Sequence, residues 1–243
     1  MRYSFESPVR FSEVDENAVM TIPALVDYFQ DAASLQAEAL GIGTAYLAAQ
    51  KRGWLLLSWQ IVIDRLPGIA EQVCSTTWGY SFRHMLANRN FTLTGGNGEL
   101  CAWANSQWML FDFANRMPVT VPENERVLYD PEEKLEMEYV SEKIRPIEGV
   151  VPERHESFHV DMHHLDTNHH VNNGQYIKMA MSMVPDVKQI RQMRAQYLRQ
   201  ALLGDEISPV VYRKDRTVMI SLNSSEGEPY CLVELTIRDE KTV

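Results

Sequence analysis

The chain has 243 residues, of which 45% are hydrophobic, so it can form one large domain or two small ones around a sizeable core. Its formal net charge of −10 argues against nucleic acid as the main partner. No apolar run approaches the roughly 20 residues of a membrane-spanning helix, and we expect no membrane span. Three widely spaced cysteines favour a reducing compartment, so a cytoplasmic location is expected.

The first half of the chain predicts a strand, one long helix and several antiparallel strands. The helix begins after the capping residue Thr21, has Pro23 in its first turn and ends before Gly41. Apolar residues recur along it at helical spacing, with Gln36 as the polar break. Strands are predicted over residues 3–11, 59–63, 73–80, 90–94 and 99–111.

The second half repeats this order in fewer residues. A strand over residues 157–162 precedes a helix over residues 173–184, for which Pro185 is the stop. The acidic stretch between the halves predicts a solvated linker with one amphipathic helical segment near residues 132–139. The later strands are predicted over residues 192–200, 207–214, 218–222 and 231–238.

The predicted fold class is α+β, with two tandem units in which a long helix packs on a curled antiparallel sheet. We expect an N-terminal domain over residues 1–125, a linker over residues 126–150 and a C-terminal domain over residues 151–243. Open sheet edges are a liability, so the two halves are expected to fold together.

A carboxylate, an amide and an imidazole stand at alternate positions in Asp166, Asn168 and His170. Alternate positions of an extended or turning segment share a face, and such a triplet is costly in an interior unless it is hydrogen-bonded or does chemistry. A decayed copy lies 151 residues upstream, where Val19 stands in place of the imidazole. One interpretation is a catalytic motif, and the alternative is a buried polar turn that pins a helix to a strand.

A helix begins directly after the triplet, and its first residues are expected to bind substrate. Free backbone N–H groups and the positive end of the helix dipole at this place favour a developing oxyanion. A base, an amide that orients water and backbone donors are the parts that acyl-transfer hydrolysis requires. The predicted substrate-binding residues are Asn172, Asn173 and Gly174.

Six of the seven histidines lie between residues 155 and 170, which raises the alternative of a metal site. The doublets His163-His164 and His169-His170 could bind Zn²⁺ or Ni²⁺. However, adjacent residues of a strand point to opposite faces, so each doublet offers one ligand per face. The sequence has no Gly-x-Ser-x-Gly, phosphate loop or dinucleotide fingerprint. We therefore expect hydrolysis by activated water, without a metal or a cofactor.

The stretch from Asp166 to Ile177 resembles the Asp-x-Asn-x-His-Val-Asn-Asn-x-x-Tyr-Ile signature of the acyl-acyl carrier protein thioesterases of bacteria and plants. The resemblance extends over nearly the whole chain, through Gly53-Trp54, Arg65 and Trp108. It implies two tandem hotdog folds that cleave the thioester of a fatty acyl chain on acyl carrier protein. The N-terminal unit is then expected to hold the acyl chain, and the chain to act as a monomer or homodimer.

The resemblance also implies catalytic roles for Asp166, Asn168 and His170. The family often has a glutamate in the strand after the second helix, and alignment on Tyr197 places Gln200 there. Glutamine cannot take a proton from water but can hold a water in place. Gln200 is therefore included in the predicted catalytic set, and the general base is expected to be Asp166 or His170.

Two alternative functions stay open. An acyl-coenzyme A thioesterase would share the fold and the chemistry, and a non-catalytic acyl-binding module would explain the glutamine. For the leading function, the acidic carrier protein needs a local positive surface on an enzyme that is itself acidic. Such a surface is predicted from Arg191, Arg194, Lys214 and Arg216.

Overall fold

The computed structural model describes residues 1–166, 168–184 and 190–239. The chain divides into two compact units, residues 1–57 with 61–139 and residues 58–60 with 140–243. Residues 126–139 of the predicted linker thus group with the first unit, and residues 140–150 with the second. Among the described residues, no helix combines the length and the apolar character needed to cross a membrane.

The first unit is a long helix on an antiparallel sheet with strand order β1-β3-β4-β5-β2, as the α+β prediction requires. Short β6 pairs with β5. The elements are β1 (Tyr3–Pro8), α1 (Ile22–Ala39), α2 (Thr44–Ala49), β2 (Arg52–Ile63), β3 (Gln72–Arg83), β4 (Leu86–Gly95), β5 (Leu100–Asp112), β6 (Met117–Pro118) and α3 (Glu123–Tyr129).

Helix α1 begins and ends where its sequence predicts. The Thr21 hydroxyl accepts a hydrogen bond from the Ala24 N–H at 3.2 Å, and Gly41 adopts φ +72° just beyond the last turn. Leu25 and Phe29 on its apolar face are fully buried, and α1 packs against β1 and β3. Each such side chain contributes about 1.5–3 kcal/mol through burial, which holds the helix on the sheet.

Gln36, the polar break in α1, is buried because it pairs with a second buried polar residue. Its amide oxygen accepts a hydrogen bond from the Arg89 guanidinium, and its amide nitrogen donates to the Met1 carbonyl at 2.8 Å. Arg89 also lies 5.5 Å from the Tyr129 ring centroid. Burial lowers the pKa of Arg89, and these neutral partners compensate for part of the desolvation of its charge.

The second unit repeats the arrangement with strand order β9-β12-β11-β10-β7, and β8 pairs with β10. Helix α4 packs against β11 and β12. The elements are β7 (Glu153–Arg154), β8 (Phe158–His159), α4 (Asn173–Ser182), β9 (Ile190–Tyr197), β10 (Glu206–Lys214), β11 (Thr217–Asn223) and β12 (Pro229–Ile237).

The internal repeat extends to individual hydrogen bonds. Single-turn 3₁₀ helices occupy residues 11–13 and 162–164, and the long helices begin at Ile22 and Asn173. The Thr21 N–H donates to the Glu13 carbonyl at 2.9 Å, and 151 residues later the Asn172 N–H donates to the His164 carbonyl at 2.9 Å. Equivalent residues of the two units can therefore be compared directly.

Several predictions from local pattern are wrong. The strand predicted over residues 3–11 ends at Pro8. Residues 132–139 are not helical, because the buried Asn90 side chain and the Trp78 indole bind their backbone instead. Asn90 Oδ1 accepts a hydrogen bond from the Leu135 N–H at 3.0 Å, and the Trp78 indole N–H donates to the Glu133 carbonyl at 2.9 Å. The strand predicted over residues 157–162 is confined to β8, because a 3₁₀ turn begins at Met162. The strand predicted to Gln200 ends at Tyr197. The predicted stop at Pro185 lies outside the described residues.

Candidate active site

The Asp166 carboxylate shapes the loop that carries the predicted catalytic triplet. One oxygen, Oδ1, accepts hydrogen bonds from the backbone N–H groups of Asn168 at 2.7 Å and of His170 at 3.3 Å. The Asp166 N–H in turn donates to the His170 carbonyl at 2.8 Å. His169 has φ +61°, so the chain reverses between Leu165 and Val171, which form an isolated antiparallel bridge.

The first unit contains the same loop without the imidazole. Asp15 Oδ1 accepts from the Asn17 N–H at 2.9 Å and from the Val19 N–H at 3.1 Å. Ala18 has φ +59°, the conformation that His169 adopts in the second loop. The backbone bond from Val19 is the main cause that lowers the pKa of Asp15. An aspartate therefore holds this turn in both units, with or without an imidazole.

His170 carries the polar atom that this loop does not satisfy. Its Nδ1 is buried and has no hydrogen-bond partner among the described residues. Buried polar atoms in proteins are nearly always paired, and an unpaired one requires an explanation such as a catalytic role or a bound water. Asn168 is exposed on the same loop. The structure thus presents an amide and an imidazole on a loop whose shape the Asp166 carboxylate maintains.

The start of α4 leaves one backbone N–H group without an acceptor among the described residues. Asn172 Oδ1 accepts from the Gly174 N–H at 2.8 Å, and the Asn172 carbonyl accepts from the Gln175 N–H at 2.9 Å. The Asn172 side chain and the Gly174 N–H, both predicted to bind substrate, are therefore occupied in the helix cap. Within the described residues, the Asn173 N–H has no acceptor. Of the three predicted residues, Asn173 is thus the one with a free donor.

The segment that carries Gln200 lies directly beside the loop. The Val171 N–H donates to the Ala201 carbonyl at 3.0 Å, and the Ala201 N–H donates to the Tyr176 hydroxyl at 2.9 Å. Gln200 itself is exposed. The Tyr197 hydroxyl donates to the Asn173 carbonyl at 3.2 Å. The sequence motif includes Tyr176, and Tyr197 serves only to align Gln200, so nothing in the sequence predicts that their hydroxyl groups join this segment to the helix.

The histidine doublet at 163–164 is part of the turn before the loop. His164 Nδ1 accepts from the Asp161 N–H at 2.9 Å, and burial lowers the pKa of His164. Among the described residues, the one group of three potential metal ligands within 4.8 Å of each other is Glu71, Glu99 and Cys101. The Arg65 guanidinium bonds both of those carboxylates, so their charge is already compensated.

The predicted positive surface needs a correction. Arg194 is 8% exposed, donates to Glu234 at 2.8 Å and also bonds the Glu142 carbonyl. Arg194 on β9 is thus part of an internal ion pair and does not contribute to an exposed positive surface. Arg216 pairs with Asp239 at 2.5 Å, whereas Lys214 is exposed.

Known proteins with similar sequences point to one family. The family model described as acyl-ACP thioesterase N-terminal domain matches residues 1–129, and the model for the C-terminal domain matches residues 150–239. The palmitoyl-acyl carrier protein thioesterase of Gossypium hirsutum, a chloroplastic protein, is 22% identical over 202 residues. That match covers 75% of this chain and 47% of the relative, so the chain spans about half of the relative's length.

Solved structures agree in fold. An acyl-ACP thioesterase from Bacteroides thetaiotaomicron superposes with a TM-score of 0.88 at 21% identity, and the match covers 98% of each chain. The 12:0-ACP thioesterase from Umbellularia californica gives a TM-score of 0.85 at 15% identity over 98% of this chain and 97% of that one. These matches confirm the two tandem hotdog folds. With both of its domains recognised by the family models, the chain belongs to the acyl-ACP thioesterase family.

Proposed function

We propose that the chain hydrolyses fatty acyl thioesters carried on acyl carrier protein, giving the free fatty acid and the carrier thiol. Family membership and the tandem hotdog fold support thioester hydrolysis. The observation that carries the site assignment is the comparison of the two loops. Both use an aspartate to hold the same turn, but only the second adds His170, whose Nδ1 is buried and unpaired among the described residues.

In the proposed reaction, His170 is the general base that takes a proton from water. The water oxygen attacks the thioester carbonyl carbon, and the carbonyl oxygen becomes an oxyanion near the Asn173 N–H. When the tetrahedral intermediate collapses, the C–S bond breaks and the protonated imidazole returns its proton to the leaving thiolate. Asn168 and Gln200 orient the water, since neither amide can accept its proton.

Asp166 has two roles in this proposal. Its Oδ1 holds the backbone of the loop, as Asp15 does in the first unit. In its second role, the negative charge that it places in the His170 loop stabilises the imidazolium that forms during proton transfer. The acyl chain is assigned to the N-terminal unit, as the family resemblance implies.

The experiment compares matched acyl-carrier-protein and acyl-coenzyme A esters of one chain length. We expect the wild-type protein to hydrolyse the carrier-bound ester with the higher kcat/KM. His170→Ala should lose about 10²–10⁴-fold in kcat, which is typical for loss of a general base. Its matched control is Val19→Ala, at the equivalent position of the first loop, which should keep wild-type kcat.

Each alternative function has its own outcome in this experiment. A higher kcat/KM for the coenzyme A ester would assign the chain to the acyl-coenzyme A thioesterases. Tight acyl binding without turnover of either ester would make it an acyl-binding module. Full activity of His170→Ala would refute the assigned base while leaving hydrolysis intact.

A further inference from the structure

The hydrogen bond between Tyr176 and Ala201 joins α4 to the segment that carries Gln200. Tyr176 is 2% exposed and Ala201 is fully buried. The Ala201 N–H donates to the Tyr176 hydroxyl at 2.9 Å, and this N–H belongs to the same peptide group as the Gln200 carbonyl. The hydroxyl therefore fixes the orientation of the peptide group that joins Gln200 to Ala201.

The first unit shows that the fold does not need this bond. The Met20 N–H donates to the Pro67 carbonyl at 2.8 Å, as the Val171 N–H donates to the Ala201 carbonyl at 3.0 Å, so Pro67 is the counterpart of Ala201. Proline has no N–H to donate. The counterpart of Tyr176, 151 residues earlier, is Leu25, which has no hydroxyl group.

A second tyrosine shows the same difference between the units. The Tyr197 hydroxyl donates to the carbonyl of Asn173, the residue whose N–H is the free donor at the helix start. Tyr197 lies two residues before Arg199 in the second unit. The residue two positions before Arg65 in the first unit is Ile63, which is therefore the counterpart of Tyr197. The unit without the imidazole thus lacks both tyrosine hydroxyls as well.

We propose that Tyr176 and Tyr197 are positioning residues for thioester hydrolysis: their hydroxyl groups hold the Gln200 peptide and the Asn173 peptide in place beside the His170 loop. The inference rests on the function proposed above and names no group that touches the reacting atoms. Hydrogen bonds found only in the unit that has the imidazole serve the site, because the same fold forms without them in the other unit.

The first test is Tyr176→Phe, which keeps the ring and removes the hydroxyl. We expect kcat to fall at least about tenfold with KM within about threefold of wild type, since small displacements of groups at an active site reduce the rate of the chemical step. The matched control is Tyr28→Phe on α1. Tyr28 is also 2% exposed, and its hydroxyl donates to Glu13 at 3.0 Å. Both variants should lower the melting temperature, but Tyr28→Phe should keep wild-type kcat.

The second test separates positioning from stability. Tyr176→Phe leaves the buried Ala201 N–H unpaired, which destabilises the protein. Adding Ala201→Pro removes that donor, so that neither a hydroxyl nor an N–H is present, as at Leu25 and Pro67 in the first unit. We expect the double variant to recover part of the melting temperature lost in Tyr176→Phe while its kcat stays low.

Two outcomes would overturn the inference. Recovery of kcat together with melting temperature in the double variant would make the hydroxyl a stability element only. Wild-type kcat in Tyr176→Phe would do the same, and this result is informative even if the proline variant does not fold. Both are distinct from failure of the proposed function, in which the wild-type protein itself does not hydrolyse the ester or His170→Ala stays active.

Discussion

Replacing Asp166 by asparagine tests whether the charge in the loop is catalytic or only structural. Asparagine keeps an oxygen that can accept the two backbone bonds, which are 2.7 and 3.3 Å long, but removes the negative charge. Bonds to an ionised acceptor are roughly twice as strong as neutral ones, which contribute about 1 kcal/mol each. Because the second bond is long, we expect a stability loss of about 1–2 kcal/mol. For a protein of this size, that corresponds to a decrease in melting temperature of about 2–8 °C.

The catalytic effect of the same change should be larger. Without the neighbouring charge, the imidazolium that forms on His170 during proton transfer is less stable. We expect kcat of Asp166→Asn to fall at least about a hundredfold, which equals a rise of about 2.7 kcal/mol in the activation free energy. The assay is steady-state hydrolysis of one acyl-carrier-protein ester, with thermal unfolding measured on the same samples.

Asp15→Asn is the matched control, because Asp15 accepts the equivalent backbone bonds at 2.9 and 3.1 Å. It should lower the melting temperature without lowering kcat. The reasoning is refuted if Asp166→Asn melts early but keeps wild-type kcat, since the motif is then structural. An equal loss of kcat in both variants would also refute it, because the effect would not be specific to the loop with the imidazole.

Three further predictions concern other parts of the chain. Gln200→Glu should retain or increase kcat, and Gln200→Ala should lower kcat less than His170→Ala does. A large loss of kcat in Gln200→Glu would contradict the role of Gln200 in holding the attacking water. Arg52→Ala removes the cation that lies 2.6 Å from the buried Glu125 carboxylate and leaves it only the hydrogen bond from the Tyr46 hydroxyl at 2.9 Å. Urea unfolding should therefore show a loss of about 3–5 kcal/mol in stability, and a loss below about 1 kcal/mol would show that the Tyr46 bond is enough to keep the carboxylate in the interior. Burial holds the pKa of His164 below its ordinary value of 6.5. Its contribution to stability is therefore present above about pH 6.5 and is lost as the pH falls through the lower folded-state pKa. The unfolding free energy of His164→Gln should depend less on pH in this range, and an unchanged slope of that free energy against pH would refute the assignment.

The sequence by itself determined the elements whose signals are local. The Thr21 cap and the residue Gly41 predict the ends of α1, and the structure confirms both. The alternating strands and the 151-residue spacing between the aspartate motifs predict two similar α+β units. These features follow from helical and strand periodicity and from capping chemistry, which depend on residues close together in the chain. Residues 132–139 are one exception, because Asn90 and Trp78 bind a backbone that local pattern assigned to a helix.

Only the tertiary structure decided what the motif residues do. The sequence presents Asp166 as a candidate base, but the pairing of its carboxylate with the loop backbone, and the same pairing at Asp15, become visible only when the two loops are compared as structures. Likewise, Tyr176 and Ala201 lie 25 residues apart, and the hydrogen bond between them depends on where α4 and the end of β9 meet. Such contacts cannot be derived from local periodicity, because side chains distant in sequence become neighbours only through the packing of helix and sheet.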